Sequence, residues 1–287
     1  MLASVPQLEA LDRLVDAAEA LSGLELRTLV ALGTQDDLAD TRVAQPLLYL
    51  VDWAWGTTLL ECGLRPSAFA GHSLGEFAAL ALAEVFSVEA GLELVVERSQ
   101  LMAAAAASLS GGMAAVIGLD PETVRDVVDA IEDVWVANDN APGQLVVSGT
   151  DPALETATAA LTDAGARRVI RLAVSGPFHS PLMASAGDAF AEVLRGAQMR
   201  DASTTVLQNT LPVPTTDAET IRDRLIAQIV SPVRWTETMT ALAADGTAIV
   251  VEAGPASVLT GLARRMEGIT AMSVEDTEIE SILQEVS

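Results

Sequence analysis

The 287-residue sequence has no lysine, a single cysteine and few aromatic side chains. All sixteen basic residues are arginine, which excludes a Schiff-base lysine and a phosphate-loop lysine. The lone Cys62 excludes a disulfide within the chain and suits a reducing compartment, so a cytoplasmic location is expected. The simplest use of that thiol is as a small buried hydrophobe. Long hydrophobic runs are also missing. The longest candidate, 75–90, is broken by Glu76 and Glu84 and falls short of the roughly 18 residues a membrane span needs. No basic segment precedes an apolar stretch at the start, so no secretory signal is visible. Positive charge is scarce: the net charge is −24, and the acids are spread along the chain. Nucleic-acid binding, which needs clustered cations, is therefore not expected.

What is present is apolar and alternating. Half of the residues are hydrophobic, enough for one large domain or a domain with an inserted subdomain. Apolar residues from Leu8 to Leu21 recur at helical spacing. A second helix is expected from about Val43 to Glu61, with Gln45-Pro46 at its start. A short strand, Ala68 to Ala70, leads into a helix over 76–82. The segment 113–174 reads strand 113–118, helix 121–131, strands 134–138 and 144–150, helix from Asp151 to the Gly165 cap, and strand 167–174. That β-α-β-β-α-β order is the order of a ferredoxin-like unit. Beyond it, 182–194 looks helical, 204–210 a strand, 219–229 a helix, 247–254 a buried strand and 256–266 a helix. Near-continuous apolar strands alternating with helices point to an α/β fold with a parallel sheet.

The chemistry is concentrated in AGHSLGEF (70–77), where Ser73 stands between Gly71 and Gly75. A G-x-S-x-G turn between strand and helix is the setting of a nucleophile elbow. Both glycines are expected to remove Cβ atoms that would collide in it. The Leu74 N–H and the helix dipole then face a developing oxyanion. A serine hydroxyl needs a base, and only two histidines exist. His72 adjoins the serine and is poorly placed for that task. His179 lies in SGPFHSPLM (175–183), where the expected subdomain ends, so it is the candidate base; a structural histidine is the alternative use.

Six stretches together resemble the malonyl-CoA:acyl carrier protein transacylase family and the acyltransferase domains of polyketide synthases. They are GHSLGE (71–76), VERSQLM (96–102), NDNAPGQLVVSG (138–149), GPFHSPLM (176–183), AQIVSPVRWTE (227–237) and VEAGPASVLTGL (251–262). The resemblance covers about residues 30–270. It implies an α/β-hydrolase-like large domain, 1–110 and 178–287, carrying a ferredoxin-like subdomain at 111–177. It implies that Ser73 takes the acyl group of malonyl-CoA as an ester, with His179 as base. The backbone carbonyl of Gln228 would orient the imidazole in place of an acid. The thiol of the carrier protein's phosphopantetheine then attacks, a ping-pong scheme in fatty acid or polyketide synthesis. No resident cofactor or metal is implied.

The resemblance also implies that Arg98, 25 residues after Ser73, binds the free malonyl carboxylate through its planar fork. A helix-surface arginine paired with Glu97 or Glu93 is the other use of that residue. Phe178 resembles the malonyl-selective members, where a ring crowds an α-methyl group. His72, Met102 and Gln144 are further candidate pocket residues. Carrier docking would use Arg167, Arg168 and Arg171, or Arg264 and Arg265. Transfer of another acyl unit between carriers, serine thioesterase or hydrolase activity, and a non-enzymatic carrier-binding role are the alternative functions. The chain departs from the family in one respect. It shows no opening strand with an FPGQGSQ-like glycine-rich loop, and MLASVPQLEA resembles the family's segment just beyond that loop. A start placed too late or a truncated chain is expected; if Met1 is the true start, Leu74 is one oxyanion donor in need of a second.

Overall fold

The structure is a computed structural model that describes residues 5–6, 8–244 and 248–286. The chain opens with α1 (Glu9–Ser22), α2 (Leu26–Leu32) and α3 (Gln35–Ala39). Leu14, Val15 and Ala18 of α1 face the core, and Gly23 ends the helix at φ 70°. α4 (Thr41–Glu61) starts before the expected position, because Asp40 accepts the Arg42 N–H as its cap. Pro46 is therefore inside the helix rather than at its start, and forfeits one backbone hydrogen bond there. The burial of Leu47, Tyr49, Leu50 and Val51 around it offsets that loss. Cys62, just past α4, is exposed and does not serve as a core hydrophobe.

β1 (Ala68–Ala70) turns sharply into α5 (Gly75–Leu82), and α6 (Val88–Ala107) follows from a Ser87 cap. Then come β2 (Gly111–Ile117), α7 (Pro121–Asp129), β3 (Val134–Ala141), β4 (Gln144–Thr150), α8 (Asp151–Asp163) and β5 (Arg168–Arg171). This is the expected β-α-β-β-α-β order, with the last strand shorter than 167–174. The four strands stand in the order β5-β2-β4-β3 with antiparallel neighbours. Both helices cover one face, where Val124, Val128, Leu154 and Leu161 meet Ala114, Val116, Leu145 and Val147. The opposite face carries Met113, Ala137 and Val146, against which Leu172 and Phe178 pack.

The chain then forms a 3-10 turn at Pro181–Met183, α9 (Ala184–Gly196), β6 (Thr205–Leu207), α10 (Ala218–Gln228) and β7 (Val233–Arg234). It ends with α11 (Trp235–Leu242), β8 (Ala248–Glu252), α12 (Val258–Ala263), β9 (Ile269–Ser273) and α13 (Ile279–Glu285). Among the described residues the parallel strands form separate pairs, β1 with β6 and β8 with β9, rather than one continuous sheet. β7 joins the edge of the other sheet, parallel to β3. β6 is shorter than 204–210 because Gln208 and Asn209 leave the ladder for buried polar contacts. β8 is half-buried, not buried, with Ile249 41% exposed: among the described strands it pairs on one side only. Thr247, at the start of that expected strand, lies outside the described residues. The helix expected over 256–266 is confined to α12, since Ala256 and Ser257 take φ 74° and 52°.

The main core lies among α1, α4, α5, α6, α9 and α10, with Leu50, Phe77, Leu80, Leu92 and Phe190 at its centre. Among the described residues no helix is long and apolar enough to cross a membrane.

Candidate active site

The end of β1 delivers Ser73 into a turn with φ 51°, a left-handed conformation that side-chain-bearing residues seldom adopt. Gly71 makes this turn feasible. A Cβ there would stand 2.1 Å from the Gly75 carbonyl group and 2.4 Å from the Glu76 nitrogen. Gly75 is different from the expectation, for its added Cβ would meet only Asp52 Oδ2, at 3.9 Å. One glycine relieves a collision; the other has room. The turn closes with Gly75 N–H on the His72 carbonyl and Glu76 N–H on the Ser73 carbonyl. The Leu74 N–H takes no part in these bonds and stands at the N-terminus of α5.

Ser73 Oγ lies 2.8 Å from His179 Nε2, across 106 residues of sequence. His179 is buried, and it too has a positive φ, 57°. Its Nδ1 lies 3.1 Å from the Gln228 carbonyl and 3.2 Å from the Ser231 carbonyl. Carbonyl oxygens only accept, so Nδ1 carries the proton and Nε2 presents its lone pair to the serine. Burial, helped by the nearby Arg98 charge, depresses the imidazole pKa to about 3. The ring is therefore neutral at neutral pH, the state a general base requires.

Arg98 is not a surface residue: it is 1% exposed, in the middle of α6, and pairs with neither Glu97 nor Glu93. Its Nη1 donates to Gln45 Oε1 at 2.5 Å, and its Nη2 to Gln228 Oε1 at 2.9 Å and Ser73 Oγ at 3.2 Å. Its Nε has no partner among the described residues. Burial lowers the guanidinium pKa to about 10, while the charge of Glu76 opposes that shift, so the group stays cationic at neutral pH. Gln45 is itself held, donating to Thr41 Oγ1 at 2.6 Å and touching Met102 Sδ at 3.5 Å. Met102 is thus buried beside the arginine.

His72 turns away from the serine. Its Nε2 is 2.8 Å from Asn140 Oδ1 and 3.4 Å from Asn138 Nδ2, and its ring stands edge-on to Trp235 at 5.5 Å. It links the turn to β3 and α11. Phe178 packs against both the main core and the Met113–Val146 face. Gln144 starts β4 beside Ala141 and joins none of the hydrogen bonds around Ser73. Of the docking candidates, Arg171 is engaged by Asp151, whereas Arg167, Arg168, Arg264 and Arg265 are exposed and form no ion pair among the described residues. A separate groove of about 810 Å³ runs along Gln100, Ala103 and Ala107 of α6 and contains none of the residues around Ser73.

Sequence reading did not find Gln45, Gln208, Asn209, or the side-chain role of Gln228. Gln45 lies 53 residues from Arg98 and Asn209 136 from Ser73, so no spacing announces them. Glu76 did leave a signal: it is an acid opening the apolar stretch GEFAALAL, and such a residue stays buried only with partners.

Comparison with known proteins places the chain in a family. Residues 7–282 match the family described as acyl transferase domain. The malonyl CoA-acyl carrier protein transacylase of Bacillus subtilis (strain 168) is 37% identical over 277 residues, covering 95% of this chain and 87% of the relative. The malonyl-CoA:ACP transacylase structure from Synechocystis sp. PCC 6803 superposes with a TM-score of 0.86 at 36% identity, covering 96% of this chain and 92% of the other. A malonyl-transacylase solved in complex with its type II polyketide synthase acyl-carrier protein gives 0.90 at 35% identity, covering 98% and 92%. A serine held on a neutral histidine beside a buried arginine, in a chain alike in sequence and shape over nearly its whole length, leads to one assignment: the protein belongs to the acyl transferase domain family.

Proposed function

We propose that this protein moves a malonyl group from CoA to the phosphopantetheine thiol of an acyl carrier protein through an ester on Ser73. His179 Nε2 takes the Ser73 proton as Oγ attacks the thioester carbonyl. The imidazolium returns the proton to the departing CoA thiolate. In the second half the carrier thiol gives its proton to His179 and attacks the ester, and the imidazolium passes that proton to the departing Ser73 oxygen. The Gln228 and Ser231 carbonyls hold Nδ1–H throughout and stabilise the imidazolium, so no carboxylate is needed. The Leu74 N–H serves the oxyanion. The thioester supplies the driving force, so the reading calls for no resident cofactor or metal.

The observation that carries the malonyl assignment is Arg98. A buried cation with an unpartnered Nε, and with no carboxylate in ion-pairing distance among the described residues, is suited to an anionic acyl group. A neutral acetyl group would leave it unpaired. Phe178 and Met102 would wall the acyl pocket, with His72 and Gln144 nearer its mouth. The strand order of the insert supports reading 111–177 as a ferredoxin-like subdomain on an α/β-hydrolase-like domain of 1–110 and 178–287. Arg168, opposite Ile117, and the exposed Ile170, opposite Ala115, support the β5 edge as a docking surface for an acidic carrier; Arg264 and Arg265 are the other candidate. A cytoplasmic enzyme is the matching location. Intact-mass measurement tests the reading: a malonyl adduct is expected with malonyl-CoA, lost in Ser73→Ala and discharged to added carrier. Absence of the adduct, or rapid malonate release that a carrier does not alter, would overturn it.

A further inference from the structure

The nucleophile turn is tied to the end of β6 by a side chain that takes no part in the proposed proton transfers. Asn209 is fully buried, two residues past β6. Its Oδ1 accepts the Ser73 N–H at 2.6 Å, and its Nδ2 donates to the Gly71 carbonyl at 2.6 Å. One carboxamide thus grips both limbs of the turn. The backbone N–H of Asn209 is donated in turn to Glu76 Oε2 at 2.8 Å, and Glu76 Oε1 accepts from Gln208 Nε2 at 3.0 Å. Glu76 belongs to the first turn of α5, so the ring closes on the helix that the elbow begins.

This ring opposes a definite strain. A left-handed conformation is unfavourable for a residue with a side chain, and Ser73 must hold it for Oγ to stay on His179. The bond to Asn209 also engages the Ser73 N–H, so of the two amides at the turn it is Leu74 N–H that remains for a reacting carbonyl.

We propose that Asn209, held by Glu76, is a positioning residue that locks Ser73 in its reactive conformation, an inference that rests on Ser73 being the acylated nucleophile. Neither residue touches the acyl group. Their effect should appear in the rate of attack and not in substrate binding.

The test compares wild type with Asn209→Ala, Asn209→Asp and Glu76→Gln. Two rates are read: the burst of CoA release with malonyl-CoA, and labelling by a fluorophosphonate, which reports serine reactivity without involving Arg98 as carboxylate partner. Both rates are expected to fall roughly 10- to 100-fold in Asn209→Ala, with KM for malonyl-CoA unchanged within about threefold, as for a misplaced reacting group. Asn209→Asp keeps the acceptor for the Ser73 N–H but loses the donor to Gly71, and should label faster than Asn209→Ala. Glu76→Gln should lose about tenfold. Wild-type rates in any folded variant of the three, or a loss confined to KM or to thermal stability, overturn the inference. If Asn209→Ala does not fold, the same criterion applies to the isosteric variants. Failure of wild type to label at Ser73 overturns the acyl-enzyme reading and this inference together, whereas equal labelling of wild type and variants overturns this inference alone.

Discussion

His179 and Arg98 are two groups whose protonation states are set by the same burial, with opposite consequences. Desolvation removes the proton from the imidazole and leaves the guanidinium charged, because their ordinary values lie so far apart. The acylation rate, read as kcat/KM for malonyl-CoA, should therefore stay flat from pH 8 to below pH 6, with no inflection at the ordinary histidine value of 6.5. Stability should behave differently. The unfolded histidine takes its proton near pH 6.5 and the folded one near 3, so the unfolded state binds the extra proton between those values. Stability contributed by neutral His179 is present above pH 6.5 and is lost as pH falls from there toward 3. Chemical denaturation across that range measures it, with His179→Gln as the reference lacking the effect. Arg98→Ala should cost about 100-fold in kcat/KM for malonyl-CoA, the loss of a charge-assisted pair, while sparing acetyl-CoA. An unaltered malonyl-to-acetyl ratio in that variant would exclude Arg98 from substrate recognition.

The elbow between β1 and α5 is where local sequence and packing meet. Gly71 has backbone at 2.1–2.4 Å from any added Cβ, and backbone cannot move aside. Gly71→Ala should therefore destabilise by at least about 2 kcal/mol and abolish acylation, as an overpacking substitution does. Gly75→Ala, at the first position of α5, should fold within about 1 kcal/mol of wild type, since alanine is the better helix former and has room there. Urea denaturation of the two variants separates them; equal losses would mean that the motif's spacing, rather than this contact, governs the turn. The other joints are made by polar side chains. His72 reaches Asn140 on β3, and Thr236 of α11 donates to Asp139 Oδ1 at 2.6 Å. These bonds connect the Ser73 turn and α11 to the β5-β2-β4-β3 sheet, which β7 continues.

At the scale of the whole molecule, a net charge of −24 opposes an acidic partner unless cations are exposed locally. Among the described residues seven arginines are engaged in ion pairs within the chain, Arg171 on Asp151 being one, but Arg167, Arg168, Arg264 and Arg265 are not. Arg168→Glu should raise KM for the carrier several-fold with malonyl-CoA acylation unchanged, and the effect should shrink with added salt. If Arg265→Glu does so and Arg168→Glu does not, docking belongs to the end of α12 instead. The sequence by itself located the serine turn, singled out His179 and Arg98, both of which lie against Ser73 Oγ, and set the order of strands and helices along 111–171. Turn sterics and strand or helix periodicity are written in neighbouring residues, so they can be read locally. Tertiary structure alone decided the rest. It placed Gln45 and the Gln228 side chain on Arg98, and Asn209 on Ser73. It split the parallel strands into separate pairs, set Pro46 inside α4 and left Cys62 in solvent. Those features depend on which distant segments arrive to satisfy a buried donor or cover a side chain, and no short-range pattern records that.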